Sequence, residues 1–216
     1  MRWVLVMPVK HASRGKSRLG GALSDDDRAA LARAMALDTV ETAVATAGVD
    51  QVIVVSADEV VTTVLRRVDR VWLLPEPAVV AGRDRLNAAV DVGIVEARRR
   101  WPAAGVAVLL ADLPLLVPVE LEAALRAAAR HERSLVVDWQ GTGTTLLAAR
   151  PGAELTPAFG AGSAAAHEAA GHLRLDIAVG SGLRRDVDLP GDLARLRGAV
   201  LGARTGAAME AAHPRS

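Results

Sequence analysis

Cysteine is absent from the chain, which excludes disulfide bonds, thiolate metal sites and cysteine nucleophiles. Aromatic residues make up only 2% of the sequence, so an aromatic platform for stacking single-stranded nucleic acid is not expected. The net charge is +1, which predicts no broad basic face for nucleic acid. No apolar run reaches the ~20 residues that a membrane-spanning helix requires. We expect a cytoplasmic protein without a signal peptide, with no nucleic-acid partner and no membrane partner.

The 216 residues, of which 51% are hydrophobic, suffice for one domain with a substantial core. We predict a single domain over residues 1–199. Residues 200–216 show no strong hydrophobic period, so the sequence predicts a flexible C-terminal tail there.

Short apolar runs typical of buried strands alternate with helical patterns along the chain. Strands are predicted at 3–7, 51–56, 70–74, 105–111, 135–137, 144–149 and 173–178. Helices are predicted at 24–47, 58–68, 85–100, 118–131, 163–170 and 190–198. This alternation indicates an α/β fold with a mostly parallel central sheet between two helical layers. The closely spaced strands between 135 and 178 indicate an antiparallel excursion.

A basic, glycine-containing loop follows the first predicted strand. Lys10, Arg14, Lys16 and Arg18 place four cations within nine residues. Cations and free backbone N–H groups between a strand and a helix suit a phosphate, although a solvated basic loop is the alternative. The run Gly15-Lys16-Ser17 is the ending of a Walker A loop, but that motif requires glycine where this chain has Lys10, so we reject it.

Carboxylates follow the fourth strand and recur late in the chain. Asp112 comes directly after an apolar run, where a poorly solvated carboxylate attracts a cation such as Mg²⁺. Ligands in open α/β sheets bind outside the carboxyl ends of the strands, which is where Asp112 is expected. Asp186 and Asp188 alternate in an extended segment and share a face, so either is a candidate second metal ligand. The alternatives are that Asp112 caps a nearby loop and that Asp188 caps the helix beginning at Pro190.

Two loops of small residues are candidate binding elements. The run Gly-Thr-Gly-Thr-Thr at 141–145 fails as a dinucleotide fingerprint, because its third glycine is missing. The run Phe-Gly-Ala-Gly-Ser at 159–163 opens a helix, whose N–H groups can hold a second anion. Simple turns are the alternative for both loops. His167 lies one turn after Ser163, and we favour a structural role for it over contact with an anion.

Taken as an ordered set over residues 3–197, these motifs resemble the phosphoenolpyruvate or 2-phospho-L-lactate guanylyltransferases of coenzyme F-420 biosynthesis. The matching runs are Pro-Val-Lys at 8–10, Gly-Lys-Ser-Arg-Leu at 15–19, Ala-Asp-Leu-Pro at 111–114, Gly-Thr-Gly-Thr-Thr at 141–145, Phe-Gly-x-Gly-Ser at 159–163 with a following His, and Arg-Arg-Asp-Val-Asp-x-Pro at 184–190. The resemblance implies a three-layer, Rossmann-like nucleotidyltransferase fold of the glycosyltransferase-A type.

The resemblance also implies roles for the residues on the nucleotide side. Lys10, Lys16 and Arg18 would bind the triphosphate of GTP, with Lys16 counted among the catalytic residues. Asn87 would contact the nucleoside. The chain departs from the family pattern at 82–85, where a glycine directly before Leu-Asn is expected.

For the metal and the acceptor, the resemblance implies a second set of residues. Asp112 and Asp188 would hold Mg²⁺ as catalytic residues, with Asp188 preferred over Asp186 because it stands just before Leu-Pro. Phosphoenolpyruvate is expected at three residues of the small-residue loops: Thr145, Gly160 and Ser163.

The implied reaction transfers GMP from GTP to the phosphate of phosphoenolpyruvate, giving enolpyruvyl-2-diphospho-5'-guanosine and pyrophosphate. Both reactants are polyanions, so metal ions and the basic loop would neutralise charge and stabilise the leaving group. Three alternatives remain: 2-phospho-L-lactate as the acceptor, another nucleotidyltransferase of this fold acting on molybdopterin or a sugar phosphate, and a non-catalytic nucleotide sensor. We also expect the unstable product to pass to a downstream transferase.

Overall fold

The computed structural model describes residues 1–12, 19, 22–78 and 84–212. Its strands are β1 (Trp3–Val9), β2 (Val49–Ser56), β3 (Val71–Leu74), β4 (Gly105–Leu109), β5 (Arg133–Val137), β6 (Thr144–Ala149) and β7 (Leu173–Arg174). Its α-helices are α1 (Asp25–Ala45), α2 (Glu59–Leu65), α3 (Arg85–Arg100), α4 (Pro118–Ala128), α5 (Ser163–Ala169), α6 (Pro190–Leu196) and α7 (Ala203–Ala211), with a 3₁₀ turn at Gly182–Arg184. None of the helices in these ranges has both the length and the apolar character needed to cross a membrane.

The seven strands form one sheet in the order β3-β2-β1-β4-β6-β5-β7. Strand β1 runs parallel to β2 and β4, and β3 is parallel to β2. Strand β6 is antiparallel to both of its neighbours, β4 and β5, which confirms the predicted antiparallel excursion. Because β6 is reversed, its first residue lies at the same edge of the sheet as the last residues of β1, β4 and β5. This edge is called the carboxyl edge below.

Alternate residues of β1 face opposite helical layers, because successive side chains of a strand point to opposite faces. Leu5 and Met7 pack in a core with residues of α1, α2 and α4. Val4 and Val6 pack in a second core with residues of α3 and α5. The structure therefore confirms an α/β fold of three layers.

Helix α1 begins as its sequence predicts. The Ser24 hydroxyl accepts a hydrogen bond from the backbone N–H of Asp27 at 3.1 Å, which satisfies one of the free donors of the first turn. Asp25, Asp26 and Asp27 all lie in that first turn, at the positive end of the helix dipole. These local interactions fix where the first helix starts after the basic loop.

The C-terminal segment differs from the predicted flexible tail. Helix α7 packs against α1 instead. The Asp38 carboxylate of α1 accepts hydrogen bonds from the backbone N–H groups of Arg204 and Thr205, at 3.3 and 2.7 Å. Thr205 is fully buried. A segment with weak hydrophobic periodicity is therefore held as a helix by a cap from a distant part of the chain. Residues 213–216 lie outside the described part of the chain.

Candidate active site

A cavity of about 640 Å³ opens at the carboxyl edge of the sheet, and we call it the edge cavity. Its lining comes from the ends of β1 and β4, from the turn between β5 and β6, from the loop before α5 and from the segment before α6. Binding sites of open α/β sheets lie at this edge, since successive strands end there and their loops diverge. The predicted site therefore corresponds to a real concave surface.

Three carboxylates of the sequence motifs line the edge cavity: Asp112, Asp186 and Asp188. The backbone N–H of Val187 donates to the carbonyl oxygen of Asp112 at 3.3 Å, so the late segment lies directly beside the end of β4. Val187 itself is buried in a small core with Leu193, and its two acidic neighbours alternate with it along the chain. Asp112 and Asp186 are half-buried and Asp188 is exposed.

The start of α6 is held by Asp192 rather than by Asp188. One carboxylate oxygen of Asp192 accepts hydrogen bonds from the backbone N–H groups of Asp188 and Leu189, at 3.1 and 2.8 Å. Leu189 occupies the position just before the helix. The alternative reading of Asp188 as the helix cap is therefore not what the structure shows.

The chemistry of these oxygen donors fits Mg²⁺, which uses one or two carboxylates together with substrate phosphates. Over the described ranges, no group of three or more histidine, aspartate or glutamate side chains is arranged to hold a metal ion by itself. A magnesium ion at this cavity would thus depend on phosphate oxygens for part of its coordination. Whether Asp186 or Asp188 accompanies Asp112 stays a prediction.

The base of the basic loop is anchored by a buried carboxylate. Lys10 is exposed and lines the edge cavity, and two residues later the backbone N–H of Ala12 donates to Asp58 at 3.0 Å. Asp58 also caps α2 and binds the Arg33 guanidinium at 3.0 Å. Burial alone raises the pKa of Asp58, but its hydrogen bonds from backbone N–H groups and from Arg33 hold that pKa below its usual range.

Of the four cations in the predicted basic loop, Arg14 lies outside the described residues, and so do Lys16 and Arg18, which the resemblance assigns to the nucleotide. Their assignment to the triphosphate stays a prediction. The anchoring role of Asp58 was missed by sequence reasoning, which saw this residue only as the start of α2. The signal that was available is an Asp at a helix start directly after a buried strand.

Gly160 and Ser163 line the same edge cavity as the three carboxylates. Gly160 has a φ of +142° and Gly162 has a φ of +73°, which is backbone geometry that favours glycine. These residues let the loop turn sharply before α5 begins at Ser163.

Thr145 is not part of the cavity lining. Its side chain is fully buried and its hydroxyl points toward the Val136 carbonyl oxygen, 3.5 Å away. The pairing of β5 with β6 is irregular at this point, since Val136 pairs with Leu146 and Val137 with Thr144. Thr145 is therefore the extra residue of a β-bulge, and its contact with the acceptor stays a prediction.

The residue before it, Thr144, does line the edge cavity and bonds to a buried histidine. The Thr144 hydroxyl lies 2.9 Å from Nδ1 of His167, and the backbone N–H of Ala158 donates to Nε2 of His167, also at 2.9 Å. Burial, followed by the nearby His172, lowers the pKa of His167 to about 4. His167 is fully buried, so the structural role favoured by the sequence agrees with its position.

Asn87 holds the loop before α5 and does not reach the cavity lining. Its Oδ1 accepts from the backbone N–H of Phe159 at 2.8 Å, and its Nδ2 donates to the Phe159 carbonyl at 2.9 Å. Nδ2 also donates to Asp84, the residue that caps α3. Both ends of the amide are thus engaged, and the predicted contact with the nucleoside stays a prediction.

Sequence analysis did not single out Trp139 as a site residue. Trp139 lines the cavity, and the Arg195 guanidinium carbon lies 4.3 Å from the centre of its ring. Arg184 donates to the carbonyl oxygens of Asp138 and Ile177, each at 2.9 Å. The first arginine of the Arg-Arg-Asp-Val-Asp motif therefore fixes the turn that carries Trp139.

Comparison with known proteins places this geometry in a family. Residues 3–196 match the model of the family described as "Guanylyl transferase CofC like". A phosphoenolpyruvate guanylyltransferase of Sanguibacter keddieii is 45% identical, over 94% of this chain and 82% of the relative. A phosphoenolpyruvate guanylyltransferase of Streptomyces scabiei is 43% identical, over 96% of each chain.

Solved structures share the fold at low sequence identity. A structure from Desulfovibrio desulfuricans G20, assigned to the nucleotide-diphospho-sugar transferases, is 15% identical with a TM-score of 0.66, over 97% of this chain and 95% of that one. A 4-diphosphocytidyl-2C-methyl-D-erythritol synthase is also 15% identical, with a TM-score of 0.56 over 91% of this chain and 97% of that one. The fold, the ordered motifs around the edge cavity and the match over residues 3–196 lead to one conclusion: the chain belongs to the CofC-like guanylyltransferase family.

Proposed function

We propose that this protein transfers GMP from GTP to the phosphate of phosphoenolpyruvate, releasing pyrophosphate, as a step of coenzyme F-420 biosynthesis. One structural observation carries the proposal: Lys10, three carboxylates and the Gly160–Ser163 loop line a single cavity. This arrangement offers a cation and metal-binding oxygens for a triphosphate beside a loop of small residues for a second anion. The names of the curated relatives support the choice of acceptor.

The nucleotide belongs beside the end of β1, where Lys10 and the predicted Lys16 and Arg18 supply positive charge. Asp112 with Asp186 or Asp188 would hold Mg²⁺, which supplies charge neutralisation for the phosphates and for the leaving pyrophosphate. Bringing two polyanions together is the main obstacle to this reaction, so positioning and charge neutralisation are the chief contributions of the site.

The acceptor phosphate is already ionised near neutral pH, so the reaction needs no general base. An oxygen of that phosphate attacks the α-phosphorus of GTP, and the bond to the bridging oxygen of the pyrophosphate breaks. The structure is consistent with this chemistry, since His167, which is buried behind Thr144 of the cavity lining, already uses both ring nitrogens in hydrogen bonds. The acceptor side therefore orients a nucleophile rather than activating one.

The first alternative is 2-phospho-L-lactate, which differs from phosphoenolpyruvate at one tetrahedral carbon. The second is molybdopterin or a sugar phosphate, and the third is nucleotide sensing without turnover. Gly160, Ala161 and Gly162 form a wall of small residues that suits a small phosphorylated acid, but Trp139 and Phe159 also line the cavity. The choice of phosphoenolpyruvate over a pterin therefore follows the names of the curated relatives. A sensor has no need of three carboxylates beside the nucleotide.

The deciding experiment measures pyrophosphate release with GTP and Mg²⁺ in parallel reactions with phosphoenolpyruvate, 2-phospho-L-lactate and no acceptor. In the nucleotide controls, ATP or CTP replaces GTP. We expect release that requires phosphoenolpyruvate and GTP together. Pyrophosphate release with 2-phospho-L-lactate alone would identify that compound as the acceptor. GTP binding without pyrophosphate release in any reaction would favour the nucleotide sensor. The hand-off to a downstream transferase and the cytoplasmic location stay predictions.

A further inference from the structure

Thr144 is nearly enclosed by protein, yet the residue lines the edge cavity. Thr144 is 3% exposed, and in the described part of the chain its hydroxyl makes one hydrogen bond, to Nδ1 of His167. A hydroxyl has one hydrogen to donate and two lone pairs to accept with. The direction of this single hydrogen bond therefore decides what Thr144 can offer to a ligand.

The backbone of Ala158 fixes that direction. Its N–H donates to Nε2 of His167 at 2.9 Å, so Nε2 carries a lone pair and no hydrogen. A neutral imidazole with a bare Nε2 has its hydrogen on Nδ1. Nδ1 must then donate to the Thr144 oxygen, and the hydroxyl hydrogen of Thr144 is left for another acceptor.

The imidazole is held neutral and in place by its surroundings. His167 is fully buried on α5, with its ring edge-on to Phe159 at a centroid distance of 5.1 Å. The same Phe159 is held through its backbone by Asn87, so Ala158 cannot move away easily from the ring. The backbone N–H of Ala164 on α5 donates to the carbonyl oxygen of Thr142, which ties the helix to the turn before Thr144.

We infer that Thr144 donates its hydroxyl hydrogen to an anionic oxygen of the acceptor substrate, and that His167 acts as the positioning residue that makes Thr144 a donor. The inference rests on the proposed function, because it assumes that the edge cavity receives a small phosphorylated acid. A hydroxyl that accepts a hydrogen bond from Nδ1 keeps its own hydrogen free to donate to an oxygen anion. Thr144 can thereby bind an anion at this wall without adding a charge to the site.

The test compares Thr144→Val, which keeps the shape and removes the hydroxyl, with Thr144→Ser, which keeps the hydroxyl. Loss of a hydrogen bond to a charged group corresponds to a rise of about tenfold to a hundredfold in the KM for phosphoenolpyruvate. We expect that rise in Thr144→Val with the KM for GTP within twofold of wild type, and we expect Thr144→Ser to restore most of the acceptor KM. Unchanged KM values for both substrates in a folded Thr144→Val protein would overturn the inference.

A second pair of variants tests His167 and covers the case in which Thr144→Val does not fold. His167→Asn places an amide N–H where Nδ1 lies, whereas His167→Gln places its amide near Nε2. We expect the acceptor KM to rise less in His167→Asn than in His167→Gln, with the KM for GTP unaffected in both. A purely structural histidine predicts lower thermal stability in both variants and equal acceptor KM values, which would overturn the assignment.

The wild-type reaction separates this inference from the proposed function. If the wild-type protein shows no acceptor-dependent pyrophosphate release, the proposed function fails and the inference falls with it. If the wild type is active and the variants keep its acceptor KM, the inference alone fails. An acceptor KM that rises in Thr144→Val and falls back in Thr144→Ser supports both.

Discussion

The backbone N–H of Val187 donates to the carbonyl oxygen of Asp112 across 3.3 Å. This hydrogen bond joins the segment before α6 to the end of β4, two parts of the chain that are far apart in sequence. Because Val187 is buried, its neighbours Asp186 and Asp188 are placed at the wall of the edge cavity beside Asp112. The acidic half of the site is thus assembled by one backbone contact and one apolar anchor.

We predict that Asp112→Asn retains the fold and loses turnover by a factor on the order of 10²–10³, because the isosteric amide removes the charge that would bind the metal. Pyrophosphate release gives the rate, and circular dichroism with a thermal melt checks the fold. Asp69→Asn, at an exposed turn residue, is the matched control and should keep wild-type activity. Near wild-type turnover in Asp112→Asn would remove this residue from the metal site.

Asp186→Asn and Asp188→Asn decide which of the two late carboxylates accompanies Asp112. We expect the Mg²⁺ concentration for half-maximal rate to rise about tenfold or more in the variant that removes the metal ligand, since the remaining site holds the ion with fewer oxygens. The other variant should change this concentration little. Equal, small effects in both variants would argue that neither carboxylate binds the metal.

Asp58→Asn should weaken both the fold and nucleotide binding. The carboxylate caps α2, binds Arg33 and accepts from Ala12 at the base of the basic loop, so its loss should cost about 2–3 kcal/mol of unfolding free energy and raise the KM for GTP. Urea unfolding measures the first effect and steady-state kinetics the second. Glu59→Gln, on the exposed neighbouring residue, should change stability by less than about 0.5 kcal/mol.

The pKa of Asp58 gives this prediction a pH signature. Its pKa in the folded protein lies below its ordinary value of 3.8, so the carboxylate stabilises the fold above that pH. The stabilisation is lost as the pH falls below 3.8 toward the lower folded pKa, where the carboxylate becomes protonated in the folded state as well. Asp58→Asn should therefore unfold with a weaker dependence on pH in that acidic range. An unchanged acid-unfolding profile would contradict the role given to this carboxylate.

His167 gives a second pH effect on stability, which arises because burial disfavours the protonated imidazole. Its pKa is about 4 in the folded protein against an ordinary value of 6.5, so the unfolded chain binds the proton more readily between these values. Stability should fall as the pH is lowered from 6.5 to 4, by up to about 3 kcal/mol from this group. Thermal melts across this range should show a smaller decline in His167→Asn, whereas His131→Asn, on a partly exposed histidine, should melt with the wild-type decline.

Asp38 should contribute more to the unfolding free energy than the neighbouring Glu41, because Asp38 caps the C-terminal helix α7. Asp38 caps α7 by accepting two backbone hydrogen bonds, so Asp38→Ala should lower the unfolding free energy by about 1–2 kcal/mol. Glu41 pairs with Arg204 at 2.7 Å but is 46% exposed, so Glu41→Ala should cost less than about 1 kcal/mol. Urea unfolding of the two variants measures the difference, and equal effects would show that α7 does not depend on its cap.

The sequence predicted well the bounds of helices and strands that are set by residues nearby in the sequence. Helix α3 has its predicted bounds because Asp84 caps it locally, and β6 also has its predicted bounds. Strand β4 ends at Leu109, short of the predicted residue 111, because the chain leaves the sheet there to line the cavity. Helix α7 was missed because its order depends on Asp38, a contact that hydrophobic periodicity does not report.

The same distinction applies to the site. Residues that come within a few positions of a strand end, such as Lys10 and Asp112, line the cavity as predicted, since the strands end at the carboxyl edge. The resemblance assigned Thr145 to the acceptor, whereas the structure places its neighbour Thr144 in the cavity lining and makes Thr145 the extra residue of a β-bulge, which strand alternation does not predict. His167 forms hydrogen bonds with the Thr144 side chain and with the backbone of Ala158, and only the folded arrangement reveals these contacts.

Gly93 tests how closely α3 packs on the sheet. A Cβ at this position would overlap Cγ1 of Val6 and lie 3.3 Å from Cγ2 of Val55, and both valines are buried in the sheet and cannot withdraw. Gly93→Ala should therefore lower the unfolding free energy by about 1–3 kcal/mol, although alanine is the better helix former by about 1 kcal/mol. Gly206→Ala in α7 meets nothing within 4 Å and should raise it by about 0.5–1 kcal/mol. Urea unfolding should thus show that the unfolding free energy falls in Gly93→Ala and rises in Gly206→Ala. If both variants were more stable than wild type, α3 would lie farther from β1 than the structure places it.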